Sequence, residues 1–176
     1  MEDKVILVDP NDRPIGEMLK MEVHQKGLLH RAVSVILFNG QSQMLLQQRA
    51  LIKYHSAGLW TNTACTHPFP GESNKEAAMR RLSEEMGLRV DDLTDFFHFI
   101  YYAPLDHALI EHEFDHVFVG FSDVKPIINP LEVMNFQYID LADLKNWMER
   151  SPQDFTVWFL KMMERLPALY DKINVI

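Results

Sequence analysis

The sequence has one cysteine, Cys65, and only seven glycines in 176 residues. A single thiol forms no internal disulfide, which excludes a disulfide-stapled scaffold and fits a reducing compartment. No apolar run is long enough to span a bilayer. The first ten residues lack the basic start and apolar middle of a signal peptide. These absences set the expectation of a cytoplasmic protein with no membrane partner. Basic charge is also scarce: 17 Lys and Arg against 25 Asp and Glu leave a net charge of −8. Phosphate backbones demand a basic footprint, so a general nucleic-acid binder is excluded. A small anion held in a local basic pocket is not excluded. With 47% apolar residues, no repeat and no Gly/Ser linker, residues 1–176 read as a single domain with a real core.

Strand signals fall at residues 5–8, at the β-branched run 32–38, and at 44–48 beyond Asn39-Gly40, which together read as a hairpin. Residues 60–67 read as extended up to Pro68. The clearest helix starts at Ser73, with Glu76 three residues later as a capping box and Gly87 as the stop. Further strands are expected at 96–102, 109–121 and 136–139, and helices at 141–150 and 155–166. Strands around one strong central helix, with helices at the end, predict a mixed α/β (α+β) layer fold.

The helix carries the chemistry. Thr66, Glu72, Arg80, Arg81, Leu82, Glu84, Glu85, Gly87 and Leu88 keep the spacing of G-x5-E-x7-R-E-U-x-E-E-x-G-U, with U apolar. The stretch resembles the Nudix box, in which carboxylates on one helix face hold hard divalent cations against diphosphate oxygens. Two positions depart: Thr66 stands in place of Gly, and Arg81 in place of the first Glu of the R-E-U triplet. Arg81 and Glu85 are four apart and share a face. Exchanging Glu for Arg removes an anionic ligand and adds a phosphate fork, which favours gripping a diphosphate over hydrolysing it.

Outside the box, residues 60–68 read W-T-N-T-A-C-T-H-P, and Gly71-Glu72-Ser73 follow. With Glu111-His112-Glu113, and with His24 and His30 upstream, they resemble the signature of type 1 isopentenyl diphosphate isomerases over residues 4–160. The His24–His30 spacing is one residue shorter than in the bacterial pattern. The resemblance implies a Nudix-like mixed β-sheet sandwiched between helices and the interconversion of isopentenyl and dimethylallyl diphosphate. It implies a divalent metal (Mn, Mg or Zn) on His24, His30, His67, Glu111 and Glu113. It makes Cys65 and Glu113 the acid/base pair, Tyr101 the partner of Glu113, and Trp158 the face toward a carbocation. Lys20, Arg49, Lys53 and Arg81 would bind the diphosphate, and Glu85 a magnesium ion on it. A monomer or weak dimer acting on a small isoprenoid diphosphate is expected.

The residues support part of this independently. Positions i and i+2 of a strand face one side, so Cys65 points with His67, and Glu111 with Glu113. Three His and two Glu make a suitable nitrogen/oxygen set for a divalent metal. Each histidine alone reads as an ordinary core or surface residue, and His55, His98, His107, His112 and His116 keep that reading. Trp158 also falls in an apolar helical stripe with Phe155, Phe159 and Met162, the usual mark of core. Two rivals remain. A Nudix hydrolase of a nucleoside diphosphate derivative predicts the intact triplet that Arg81 breaks. A non-catalytic Nudix-fold binding module predicts loss of the carboxylates that Glu84, Glu85, Glu111 and Glu113 keep. No G-x-G-x-x-G follows a strand, so no dinucleotide cofactor is implied.

Overall fold

β3 (His30–Phe38) is the strand on which the others assemble. One edge pairs in parallel with β8 (Ile110–Phe121) along its whole length, from His30 opposite Glu113 to Phe38 opposite Phe121. The other edge is shared in turn by β1 (Lys4–Val8), β6 (Ala64–Thr66) and β4 (Met44–Arg49), all antiparallel. β7 (Thr94–Pro104) extends the sheet beyond β8, β2 (Pro14–Leu19) beyond β1, and β5 (Trp60–Thr61) and β9 (Val133–Ile139) flank β4. The structure is a computed structural model that describes residues 4–165. Among those residues the α-helices are α1 (Lys20–Lys26), α2 (Asn74–Met86), α3 (Leu141–Arg150) and α4 (Val157–Met163).

Strand alternation divides the core between the two sheet faces. Val33, Val35 and Leu37 pack with Ala78, Leu82 and Met86 of α2. Ile36 and Phe38 pack with Val117, Val119, Leu144, Trp158 and Phe159 under α3 and α4. The expected mixed sheet between helices is therefore what the chain forms. On the α4 side the apolar rows turn polar toward one end. β3 runs from Phe38 and Ile36 to Ser34 and His30, and β8 from Val119 and Val117 to Asp115, Glu113 and Glu111. One face thus serves as core at one end and as site at the other.

α2 begins and ends as its sequence predicts. Ser73 Oγ accepts from the Glu76 amide, and Glu76 Oε2 accepts from the Ser73 amide at 2.9 Å. Gly87 adopts φ +64°, and a Cβ there would lie 2.5 Å from the Ile127 carbonyl oxygen, so no larger residue closes this turn. Residues 60–67, expected as one extended run, are two strands. The chain leaves β4 after Thr61 and joins β3 at Ala64. Buried side chains bridge the gap: Thr63 Oγ1 donates to the Leu45 carbonyl at 2.7 Å and accepts from the Leu37 amide at 2.9 Å. Asn62 Nδ2 donates to the Ala64 carbonyl at 2.6 Å. They supply the bonds a continuous ladder would have made.

β2 and α1 were not expected, because β2 is an exposed strand with little alternation and α1 has only seven residues. The last helix is shorter than 155–166. Phe155 and Thr156 are extended, with the Thr156 amide donating to the Trp60 carbonyl at 2.9 Å, and α4 starts at Val157. Leu166 lies outside the described residues.

Replacing Ser73 by Ala removes one half of the capping box. Stability should fall by about 1 kcal/mol, lowering the thermal midpoint by roughly 2–4 °C. An unchanged midpoint by circular dichroism would show that the box contributes nothing.

Candidate active site and metal centre

Five side chains from four places meet at the polar end of that face: His24 of α1, His30 of β3, His67 just after β6, and Glu111 and Glu113 of β8. Their donor atoms lie within 4.8 Å of one another. His30 Nε2 is 3.2 Å from His67 Nε2, which is 2.9 Å from Glu113 Oε1. His24 Nε2 is 3.4 Å from Glu111 Oε2. The backbone sets the tautomers. His24 Nδ1 donates to the Lys20 carbonyl at 2.7 Å and His30 Nδ1 to the Leu28 carbonyl at 2.9 Å. A carbonyl only accepts, so each Nδ1 carries the hydrogen and each Nε2 turns a lone pair inward.

A divalent cation fits this arrangement. His24 Nε2 and Glu111 Oε2 are buried and have no hydrogen-bond partner, a costly state for a polar atom that coordination would relieve. Burial pushes the His67 pKa well down, with Lys20 and the other two rings adding to it, so the imidazole stays a neutral ligand. On His24 burial also opposes charge, but Glu111 outweighs it and raises the pKa.

Glu113 faces two ways. One oxygen joins the cluster, and the other accepts from the Tyr101 hydroxyl at 2.6 Å. The pair sits directly across the β7–β8 ladder. Burial works against the Glu113 carboxylate, yet His30 and Tyr101 hold its pKa below the ordinary value. Tyr101 is itself pushed far up by burial and by the Glu113 charge, so it remains a hydroxyl donor. Cys65, on the other strand flanking β3, turns part of its surface to the same cavity. Burial, reinforced by the Glu85 charge, pushes its thiol up to about 12.

The cavity holds about 350 Å³ and is lined by Glu111 and Glu113 and by the basic side chains Lys20, Arg49, Lys53 and Arg81. Lys53 Nζ and Arg81 Nη2 share Glu132 Oε2 at 2.6 and 2.7 Å. Arg81 also reaches Glu85 at 2.6 Å and Glu84 at 3.4 Å. Arg49 donates to the carbonyls of His55 and Ser56 and lies 5.1 Å from the Trp158 ring, so it braces the loop as well as lining the wall. Trp158 lines the cavity too.

The NUDIX domain family matches residues 28–159. The chain is 51% identical to the isopentenyl-diphosphate Delta-isomerase of Pectobacterium atrosepticum, covering 93% of this chain and 91% of that protein. It is 50% identical to that of Serratia proteamaculans, over 96% of this chain and 93% of that one. The chain belongs to the isopentenyl-diphosphate Delta-isomerase family of NUDIX proteins. Among solved structures it resembles a Deinococcus radiodurans protein with a TM-score of 0.70 and 21% identity, covering 84% of this chain and 90% of that one. It also resembles a MutT protein of Methanosarcina mazei, with a TM-score of 0.65, 19% identity, and coverage of 83% and 95%. At such identities the likeness concerns the fold.

One expected residue stands apart from the cavity lining in this isopentenyl-diphosphate Delta-isomerase family member. Glu85 is 2% exposed. It lies behind Arg81, which takes Oε1, while Gln47 donates to Oε2 at 2.7 Å. A cation reaching Glu85 must therefore displace one of these partners. Three residues that were not singled out also belong to the site. His55 Nε2 lies 3.7 Å from Glu111 Oε1, and its ring meets Trp158 edge-on at 5.7 Å. Burial and the Arg49 charge press its pKa down to about 3. Glu132 bridges the cations, and Ser34 donates to the buried Asp115 at 2.8 Å beneath the cavity. No local motif marks any of the three.

Two outcomes follow. Zinc or manganese added to chelated protein should raise the unfolding midpoint, by about 2.7 kcal/mol of stability at a hundred times Kd, and His67→Ala should lose most of that gain. A midpoint that ignores both ions would argue against the metal centre. Since its pKa is raised, Cys65 should stay protonated at pH 9, where an ordinary thiol is half ionised, and ionise only toward about 12. Thiolate ultraviolet absorbance reads this directly, because the chain has one cysteine. Half-ionisation at pH 9 would mean that the thiol is not enclosed.

Proposed function

We propose that this chain interconverts isopentenyl diphosphate and dimethylallyl diphosphate by a proton shift between two protein groups. The observation that carries this reading is one cavity lined together by a thiol, a carboxyl group and four basic side chains. The basic side chains suit a diphosphate. The five-carbon tail then reaches Cys65, Glu113 and Trp158.

One group gives a proton to a carbon of the double bond, leaving a tertiary cation. The other takes a proton from the carbon on the far side of that centre, and the freed C–H electrons become the new double bond. Charge and atoms balance, and the two groups have exchanged one proton. In the reverse direction they exchange roles. Tyr101 holds the Glu113 oxygen through its hydroxyl. Trp158 offers an aromatic face that steadies a cation without attacking it, and enclosure keeps out the water that would capture the cation.

A divalent ion (Mn, Mg or Zn) held by His24, His30, His67, Glu111 and Glu113 would fix the Glu113 carboxyl and tune its acidity. Glu85 would hold a magnesium ion accompanying the diphosphate, with Arg81 turning to the phosphate oxygens. Residence in the cytoplasm as a monomer or weak dimer, without nucleic-acid or membrane partners, belongs to the same reading. It rests on the acidic balance and the lone thiol. Among the described residues no helix is long and apolar enough to cross a membrane. The hydrolase alternative is not favoured, because Glu84, Glu85 and Glu132 all engage Arg81 rather than facing the cavity together as free ligands.

The test is incubation with isopentenyl diphosphate and magnesium in deuterated water, followed by NMR. Wild type should form deuterium-bearing dimethylallyl diphosphate. Cys65→Ala and Glu113→Gln should each lose roughly 10²–10⁴-fold in rate. Release of inorganic phosphate, or full activity in either variant, would overturn the reading.

A further inference from the structure

His112 lies between the two clustered glutamates on β8, so its side chain leaves the opposite face of the strand. There its Nδ1 donates to the Gly27 carbonyl at 2.9 Å. The acceptor is a carbonyl, so this nitrogen carries the hydrogen. Tyr102, paired with His112 across the β7–β8 ladder, packs its ring edge-on against the imidazole at 5.4 Å.

Gly27 closes α1 in the left-handed region, φ +62°. The approach is tight: a Cβ at Gly27 would stand 3.1 Å from Ile110 Cδ1. The geography explains why this matters. β3 begins opposite Glu113, so Ile110, Glu111 and His112 run past its end and have no partner on that edge. α1 docks along this overhang. It is held on one face by His24 against Glu111 and on the other by His112 and Ile110 against Gly27. The contact on the first face is weak by itself, because His24 Nε2 and Glu111 Oε2 are both left without a hydrogen-bond partner. Of the two, only the His112 contact is a formed hydrogen bond.

We infer that His112 is a positioning residue for the metal centre, a clasp on the back of β8 that fixes the helix presenting His24. The inference rests on the reading of the five clustered residues as a divalent-metal site. It gives the middle residue of Glu111-His112-Glu113 a task of its own, to place the remaining ligand that comes from a separate helix. A seven-residue helix does not hold its own shape in water, so its register over the cluster has to come from such contacts. Outer partners that orient ligands typically change metal affinity 10–100-fold when removed.

The test uses chelated full-length protein, zinc alone as the probe, and a competing chromophoric chelator to read Kd. His112→Phe keeps a ring against Tyr102 but cannot donate. His112→Asn has a short side chain with an N–H that can reach the same carbonyl. Phe should weaken zinc binding at least about tenfold, and Asn should recover most of the loss. The Leu28 amide, which donates to the Val23 carbonyl at 3.2 Å, should exchange with solvent faster in the Phe variant alone. Equal zinc affinity in wild type and Phe would overturn the inference while leaving the metal site intact. So would weakening in both variants without recovery, the result expected of general destabilisation. A wild type that takes up no zinc and no manganese would remove the metal site itself, and the inference with it.

Discussion

The parallel pairing of β3 with β8 is the constraint on which the rest depends. Parallel neighbours in register place equivalent faces side by side, so His30 stands beside Glu113 with both side chains on the α4 side. Tyr101 joins them from the next strand in the same row. Sliding β8 by one residue would turn Glu111, Glu113 and Asp115 to the opposite face and bring His112 inward. The register is held by core rather than by the site. Ile36, Phe38, Val117 and Val119 continue the same rows into a buried apolar cluster. Packing at one end of a strand thus determines how the His and Glu side chains meet at the other.

Charge is distributed with equal economy. The two glutamates of the cluster face three imidazole rings, an arrangement that is stable only with a cation or with shared protons. Elsewhere along the cavity the basic groups Lys53, Arg80 and Arg81 are all paired. Glu132 ties Lys53 to Arg81, Glu85 is tied to Arg81 and Gln47, and Arg80 holds Glu72 through two bonds of 2.7 and 2.9 Å. Such pairs keep long side chains in place before an anion arrives. A guanidinium among three carboxylates also occupies the charge position a bound metal could otherwise take. The departure at Arg81 therefore changes what the helix can hold while leaving its spacing intact.

What could be read in the sequence was whatever depends on local pattern. The capping box at Ser73, the stop at Gly87, the β-branched run of β3 and the span of α3 all follow from nearest-neighbour rules. Alternation also placed Glu111 with Glu113, and Cys65 with His67. The break inside residues 60–67 was not legible. Asn62 and Thr63 have no unusual propensity, and they interrupt the strand because β3 and β4 separate there and need side-chain bonds between them. His55 and Glu132 were missed for a similar reason. Each sits in an irregular segment, and its importance comes from partners distant in sequence: Glu111 for the first, Arg81 for the second. The resemblance to isomerases implied the set of five side chains, and their donor atoms meet within 4.8 Å of one another.

The opposed protonation of Cys65 and Glu113 connects packing to chemistry. Burial acts on both groups in the same direction, raising a thiol and a carboxyl alike. It prevails at Cys65, where the nearby Glu85 charge adds to it. It is overcome at Glu113, where the Tyr101 hydroxyl and the neighbouring imidazole stabilise the anion. The fold thereby brings a thiol with a raised pKa and a carboxyl group with a lowered one into a single cavity. In the reaction proposed above, a transfer through the substrate would leave each in the other's state, so the proton would have to be returned before the next molecule is processed.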